Sequence, residues 1–178
     1  MTITDIFPVS YTGAGRIRVQ FWKTAATPAA PTLAEITAAS ALDATCYFPA
    51  GGLEIAHEQA RDDDTRLCDE NTRESFGRST FTVQNFGYIY NPNDASETAT
   101  PGNLAYHTFK EGESGFFGVR SGPKSDAAIV ASQAFTIYSV KFGDRHDPIP
   151  TGDNAKFLVT QQLALTRLAF RYKIPSAG

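Results

Sequence analysis

By residue type alone, the run Asp62-Asp63-Asp64 is the strongest candidate for chemistry in this chain. A calcium loop needs oxygen ligands at alternating positions and a glycine at its centre. Thr65, Arg66 and Leu67 follow instead, so the run reads as a solvated acidic turn paired with Arg61 and Arg66. The three histidines, His57, His107 and His146, stand far apart, and His107 has no His or carboxylate four residues on, so no metal site is expected. Gly13-Ala14-Gly15 lacks the third glycine and the following helix of a dinucleotide fingerprint. Neither a phosphate-binding P-loop nor a G-x-S-x-G nucleophile elbow is present. Nothing singles out a glycosidase-type pair among the 19 carboxylates. Trp22, Tyr88, Tyr90 and Tyr106 would suit a sugar-stacking surface, but aromatics at strand spacing serve more often in cores and interfaces. The residues therefore predict no catalytic set, no cofactor and no metal, and favour a binding or structural role.

The elements that would position these residues are mostly strands. Arg16–Trp22 alternates, with Ile17, Val19 and Phe21 on one face and Arg16, Arg18, Gln20 and Trp22 on the other, as a half-buried strand does. Thr32 and Glu35 have capping-box spacing for a short helix over 32–39. Strands are expected near 44–48 and 53–60 around a Pro49-Ala50-Gly51-Gly52 turn, then over 78–90, 115–120, 133–142 and 157–172. The last is long enough to require a bend or bulge. On 53–60, Leu53, Ile55 and His57 alternate with Glu54, Ala56 and Glu58; on 78–90, Phe81 and Val83 oppose Thr80, Thr82 and Gln84. The stretch Asn103–Arg120 reads as one short helix feeding a glycine-bearing strand. Asn103 is expected to cap it through its side chain, Leu104, Ala105, Thr108 and Phe109 to share its buried face, Lys110 to suit its C-terminal dipole, and Gly112 to take a left-handed exit. Gly115 and Gly118 inside the strand predict close backbone approach, within the subunit or between neighbours. The long polar loops at 24–31, 62–76, 91–102 and 143–155 predict contacts completed by other copies.

Composition agrees with a single β-rich domain over 1–178. There are 13 Phe and 7 Tyr, and a formal net charge of -3 argues against a protein that grips nucleic acid. The N-terminus has neither a basic nor an apolar stretch of the secretory kind, and the longest aliphatic run, Ala127–Ala131, is far too short to span a bilayer, so a soluble, cytoplasmically made chain is expected. Cys46 and Cys68 are expected to be reduced, partly buried thiols, with a disulfide between them the lesser alternative.

The helix with its Lys-Glu-Gly exit and Gly-Phe-Phe-Gly-Val-Arg strand resembles the major tail tube proteins of long-tailed bacteriophages, especially those of actinobacteria. Pro31–Ile36 with the strand near Cys46, Asp64–Cys68, and Gly152–Phe157 before the last strand resemble further parts of that family, in order, over about residues 31–165. The resemblance implies a β-sandwich or barrel-like tail tube fold with a short flanking helix. It implies a homo-oligomer, usually of six-membered rings, stacked into a hollow tube around one shared β-barrel. Viral DNA would pass through without specific binding and without membrane insertion. The implied partners are tape measure protein, tail terminator and baseplate or tail tip proteins, and the implied location is the virion, after assembly in the host cytoplasm.

The geometry is consistent with this. A barrel of about eight strands holds only side chains, whereas roughly 16–18 leave an aqueous channel, so seven strands surround a duplex only when several copies combine. On this reading the faces bearing Glu54 and Glu58, and Thr80, Thr82 and Gln84, line the channel. Gly115, Gly118, Phe116 and Phe117 are assembly or close-packing residues. Segments 1–14 and about 173–178 are assembly arms. Arg167, Arg171 and Lys173 make the last strand too basic for a channel wall, which places that end outside or at a contact between rings. The alternatives are a tail terminator, a baseplate tube component, the tube of a contractile injection system, or a carbohydrate-binding β-sandwich.

Overall fold

The computed structural model describes residues 13–68, 70–93, 102–150 and 156–175. Most of the expected arm 1–14, half of the expected arm 173–178, Gly152–Ala155 and much of the 91–102 loop lie outside them. The elements are β1 (Ile17–Trp22), α1 (Leu33–Ile36), β2 (Leu42–Asp43), a 3-10 turn (Thr45–Tyr47), β3 (Leu53–Asp63), β4 (Glu74–Ile89), α2 (Leu104–Thr108), β5 (Ser114–Ser121), β6 (Ala134–His146) and β7 (Leu158–Lys173). The strands form an antiparallel array in the order β2-β1-β5-β6-β7-β4-β3. The protein is mainly β with short flanking helices, as expected.

Two apolar clusters fix the architecture. Val19, Phe21, Phe117, Val140, Phe142 and Val159 point from the sheet toward Phe86, Tyr88, Ala105 and Phe109, which arrive from β4 and the α2 segment. Five phenylalanines here, Phe21, Phe86, Phe109, Phe117 and Phe142, pack with ring centroids 4.9–6.0 Å apart. Tilted and edge contacts dominate, matching positive ring edges to negative faces. On the opposite face Trp22, Phe135 and Ile137 pack with Ile36 of α1 and Ile174 beyond β7. β1 is therefore not half-buried as its alternation implied: Gln20 and Trp22 are buried too, because α1 and the chain end cover the second face.

Local chemistry explains the other departures. The expected strand at 44–48 is a 3-10 turn, because Asp43 Oδ1 accepts from the Thr45 amide and hydroxyl while Thr45 Oγ1 accepts from the Val19 amide. This plugs the edge of β1, an orphan amide row that would otherwise invite pairing. The Thr32–Glu35 capping box forms in full. Yet α1 stops at Ile36, where the Thr37 hydroxyl donates back to the Leu33 carbonyl. Asn103 occupies the N-cap of α2, its carbonyl accepting from the His107 amide, but its side chain does not bond the first turn. Its amide instead clamps Asn91, accepting from the backbone N–H at 2.7 Å and donating to the carbonyl at 2.9 Å. The cation at the end of α2 is Arg145 of β6 rather than Lys110: its Nη2 donates to the carbonyls of Tyr106 (2.7 Å) and Phe109 (2.6 Å). Gly112 takes the left-handed exit at φ +77°. β7 is irregular as its length required, shifting register against β6, with Arg171 at φ +51°.

Candidate channel-facing surface

β3 and β4 form a long ribbon. In it Glu58 lies opposite Thr80, Ala56 opposite Thr82 and Glu54 opposite Asn85. Directly paired residues share a face, so the two polar faces expected separately on these strands are one surface. The register shifts between Glu54 and Ile55, which leaves Gln84 as the extra residue of a bulge, exposed to solvent. The ribbon's other face carries Phe81, which stacks on His57 at 4.6 Å and meets the Tyr138 ring of β6 at 6.4 Å.

The polar surface continues onto the main sheet. β4 joins β7 through Gly87–Thr160, Tyr88–Val159 and Ile89–Leu158. Tyr88 and Val159 point into the phenylalanine core, so Gly87 and Thr160 belong to the opposite side. Alternation along β7 then puts Gln162, Ala164 and Thr166 on that side, and pairing with β6 adds Ser139 opposite Thr166 and Lys141 opposite Ala164. Glu54, Glu58, Thr80, Thr82, Gln162, Ala164, Thr166 and Lys141 are exposed, and Ser139 is half-buried. The four longest strands thus present one largely polar face, on which Glu54, Glu58 and Lys141 are charged and Asp62 continues the same side toward the end of β3. Sequence reasoning missed its β6–β7 half because Arg167 made β7 look basic. Arg167 pairs with Tyr138 on the core side, its guanidinium 4.5 Å from the Phe81 ring centroid.

Beyond the three β4–β7 pairs the strands splay. The gap is a cleft of about 510 Å³ lined by polar groups that include Gln84, Asn85, Asp144, His146 and Gln162. A buried polar network holds its inner end. Gln161 Nε2 donates to the carbonyls of Phe109 and Gly143, and its Oε1 accepts from the Tyr88 hydroxyl at 3.2 Å. Burial holds the Tyr88 phenol neutral well above the ordinary tyrosine range.

The glycine-bearing strand is packed within the subunit. A Cβ on Gly115 would meet Phe21 ring carbons at 2.5 Å, and one on Gly118 would meet the Trp22 ring at 2.8 Å. Phe117 enters the first cluster, and Phe116 stacks on Trp22 with centroids 6.1 Å apart. Arg120, 1% exposed, was not anticipated as a structural residue. Its guanidinium donates to the carbonyls of Lys124, Ala127 and Ala128 and to Gln133 Oε1 at 2.6–3.2 Å, tethering the loop from β5 to β6. Burial, and next the nearby Arg18 charge, lower its pKa.

The residues first weighed for chemistry do not converge. Asp63 accepts from the Thr65 amide and hydroxyl, and Arg61 pairs with Glu74 at 3.4 Å rather than with the aspartates. Cys46 and Cys68 are free and both exposed, not partly buried as expected. Among the described residues no cluster of three or more His, Cys, Asp or Glu could hold a metal, and no helix is long and apolar enough to cross a membrane. Tyr88 and Trp22 are core residues, which removes them from any sugar-stacking surface.

An antiparallel β protein whose longest strands share a polar face left uncovered by the described residues, and whose outermost long strand has one edge free among the described strands, suits a structural subunit. The chain matches the phage tail tube protein family over residues 4–177, and it belongs to that family. No curated protein matches it. It is accordingly a structural component of a phage virion, of a kind that assembles into a multi-subunit tube.

Proposed function

We propose that copies of this chain close into hexameric rings that stack as the tail tube, and that the β6-β7-β4-β3 polar face lines the channel through which genomic DNA leaves the virion. The carrying observation is the register that joins Glu54, Glu58, Thr80 and Thr82 to Ser139, Gln162, Ala164 and Thr166 on one side of the sheet. Duplex DNA carries about one negative charge per 1.7 Å of axis, and lysines or arginines that neutralise phosphates hold it by releasing counterions. A wall dominated by hydroxyls, amides and carboxylates, with the ammonium of Lys141 beside them, offers little of that attraction, so DNA slides along it. The role is structural, without catalysis or cofactor.

Edge strand β3 and the open side of β7 supply the unpaired backbone that neighbouring copies satisfy on closing a shared barrel. Segments 1–14 and 173–178 act as assembly arms. Tape measure protein occupies the lumen before DNA, and tail terminator and baseplate or tail tip proteins cap the ends of a tube assembled in the host cytoplasm. The test is the double variant Glu54→Lys, Glu58→Lys. Both side chains are exposed, so tubes still form, and DNA ejection from virions carrying the variant slows. Ejection at the wild-type rate from such tubes overturns the channel assignment. Failure of purified wild-type protein to polymerise into long tubes, stopping instead at single rings, would make the chain a terminator.

A further inference from the structure

β1 stands next to one end of the strand order and β3 at the other. Yet Ile17 and Val19 of β1 and Leu53 and Ile55 of β3 line one hollow of about 580 Å³, with Phe48 and Val119 completing a mostly apolar wall. The array therefore curls until its two ends face each other, and the hollow is the seam left between them. Val19 belongs to the phenylalanine cluster, and Phe48 and Leu53 pack on it, so the seam opens directly from the core. Ile17 stands 47% exposed at its edge. An apolar seam continuous with the core and open to water is short of a cover.

The chain itself leads to this seam. Gly13, Ala14 and Gly15 form part of its rim. The Arg16 amide donates to the Gly13 carbonyl at 3.1 Å and Gly15 holds φ +65°, a turn of the kind that needs glycine at its third position. The Ser125 amide donates to the Gly15 carbonyl at 2.8 Å and fixes the turn in place. Such a turn reverses the chain, so Gly13 opens back along β1, toward Ile17 and Val19. That edge of β1 has room, since it pairs with β2 only at Gln20 and Phe21. The sequence before the turn carries the apolar run Ile6-Phe7-Pro8-Val9, and Asp5 is the one charged side chain between residues 2 and 12. Fully extended, the chain takes Val9 at most about 14 Å from Gly13 and Ile6 about 25 Å, so the whole run is within reach of the hollow.

We propose that residues 6–9 seat in the hollow of their own subunit before assembly and close the seam between β1 and β3. A tether of four to seven residues joins the run to the rim. So short a link gives the segment an effective concentration on the order of millimolar, and at lower protein concentration it fills the hollow ahead of a neighbour's segment. The free subunit thereby shields an apolar segment and an apolar seam with each other. Any role of residues 1–14 as an assembly arm then begins with their release. The inference goes beyond the tube reading, because it concerns the single subunit and holds whether or not tubes form.

Photo-cross-linking tests it. The full chain carries benzoylphenylalanine in place of Phe7, and isotopically labelled and unlabelled copies are mixed in equal parts, diluted until sedimentation shows single subunits, and irradiated. Mass spectrometry is expected to find position 7 joined to peptides that bear Ile17, Leu53, Ile55 or Val119, with both halves of every cross-linked pair carrying the same label. Independently, Phe7→Ser with Val9→Ser in the full chain is expected to lower the melting temperature by about 4–8 °C, equally at protein concentrations about tenfold apart, because a contact within one chain does not depend on concentration. Pairs of mixed label would show that a neighbour's segment fills the hollow. Cross-links that avoid those peptides, or a double variant that melts with wild type, would show that the segment goes elsewhere. Each of these results overturns the proposal and leaves the tube reading standing; wild-type protein that forms no tubes overturns that reading and leaves this one untouched.

Discussion

Gly115 decides between two uses of the glycine-bearing strand. An alanine Cβ there would sit 2.5 Å from Phe21 Cε2 and Cζ and 2.9 Å from the Trp22 carbonyl oxygen. Carbon pairs are comfortable at about 3.5–4.0 Å, so the overlap is roughly 1 Å. The Phe21 ring has little room to yield, being wedged against Phe109 and Phe117 at 5.3 Å and Phe142 at 5.6 Å. Overpacking of this kind falls toward the upper part of the usual range, about 2–3 kcal/mol. For a domain of this size that lowers the melting temperature by about 4–12 °C. Calorimetry or circular dichroism on the unassembled subunit measures it. Gly13→Ala is the control, since no atom lies within 4 Å of its new Cβ, and it should stay within about 0.5 kcal/mol of wild type. Gly115→Ala melting together with Gly13→Ala would refute the packing argument. If tube formation were then lost as well, the glycine would serve contact between subunits instead.

Asn103 separates a cap from a clamp. Aspartate caps as well as asparagine, so Asn103→Asp would be neutral for a simple cap; because Nδ2 also donates to the Asn91 carbonyl, the substitution is expected to cost about 1 kcal/mol in denaturant titration. Arg120→Met removes the side-chain donor to the Lys124 carbonyl, leaves Ala127 with Arg18 alone and Ala128 with a long bond from Gln133, and is expected to destabilise by about 2 kcal/mol, with limited proteolysis cutting first between 122 and 133. Glu35 accepts from the Ala26 and Thr32 amides, bonds that hold its carboxyl below the usual carboxylate range. A carboxylate depressed in the folded state stabilises above its unfolded pKa, and that contribution is lost as pH falls through the folded value. Stability measured from pH 6 down to 3 should therefore fall less steeply in Glu35→Gln than in wild type.

The β character, the capping box, the Gly112 exit and the polar faces of β3 and β4 were legible because each rests on near neighbours in sequence. Alternation could not show that Trp22 and Gln20 are buried, because what covers them, α1 and Ile174, comes from elsewhere in the chain. Nor could it show that Asn103 turns to Asn91 or that Arg145 caps α2, since both contacts cross loops. The β6–β7 half of the polar face was hidden for a related reason. Charge counted along β7 takes no account of side, and Arg167 faces the core while Thr166 and Ala164 face away. The seven-residue stretch Asn85–Asn91 has no feature in sequence that announces the hand-over of β4 from β3 to β7, yet that hand-over makes the face continuous.

The most direct test of the account is electron cryo-microscopy of assembled tubes at side-chain resolution. The account predicts Glu54, Glu58, Thr82, Gln162 and Thr166 on the lumen wall, with Arg167 turned away from it onto Phe81. A map that places Glu54 and Glu58 on the outer surface of the tube, or Arg167 in the lumen, would contradict it.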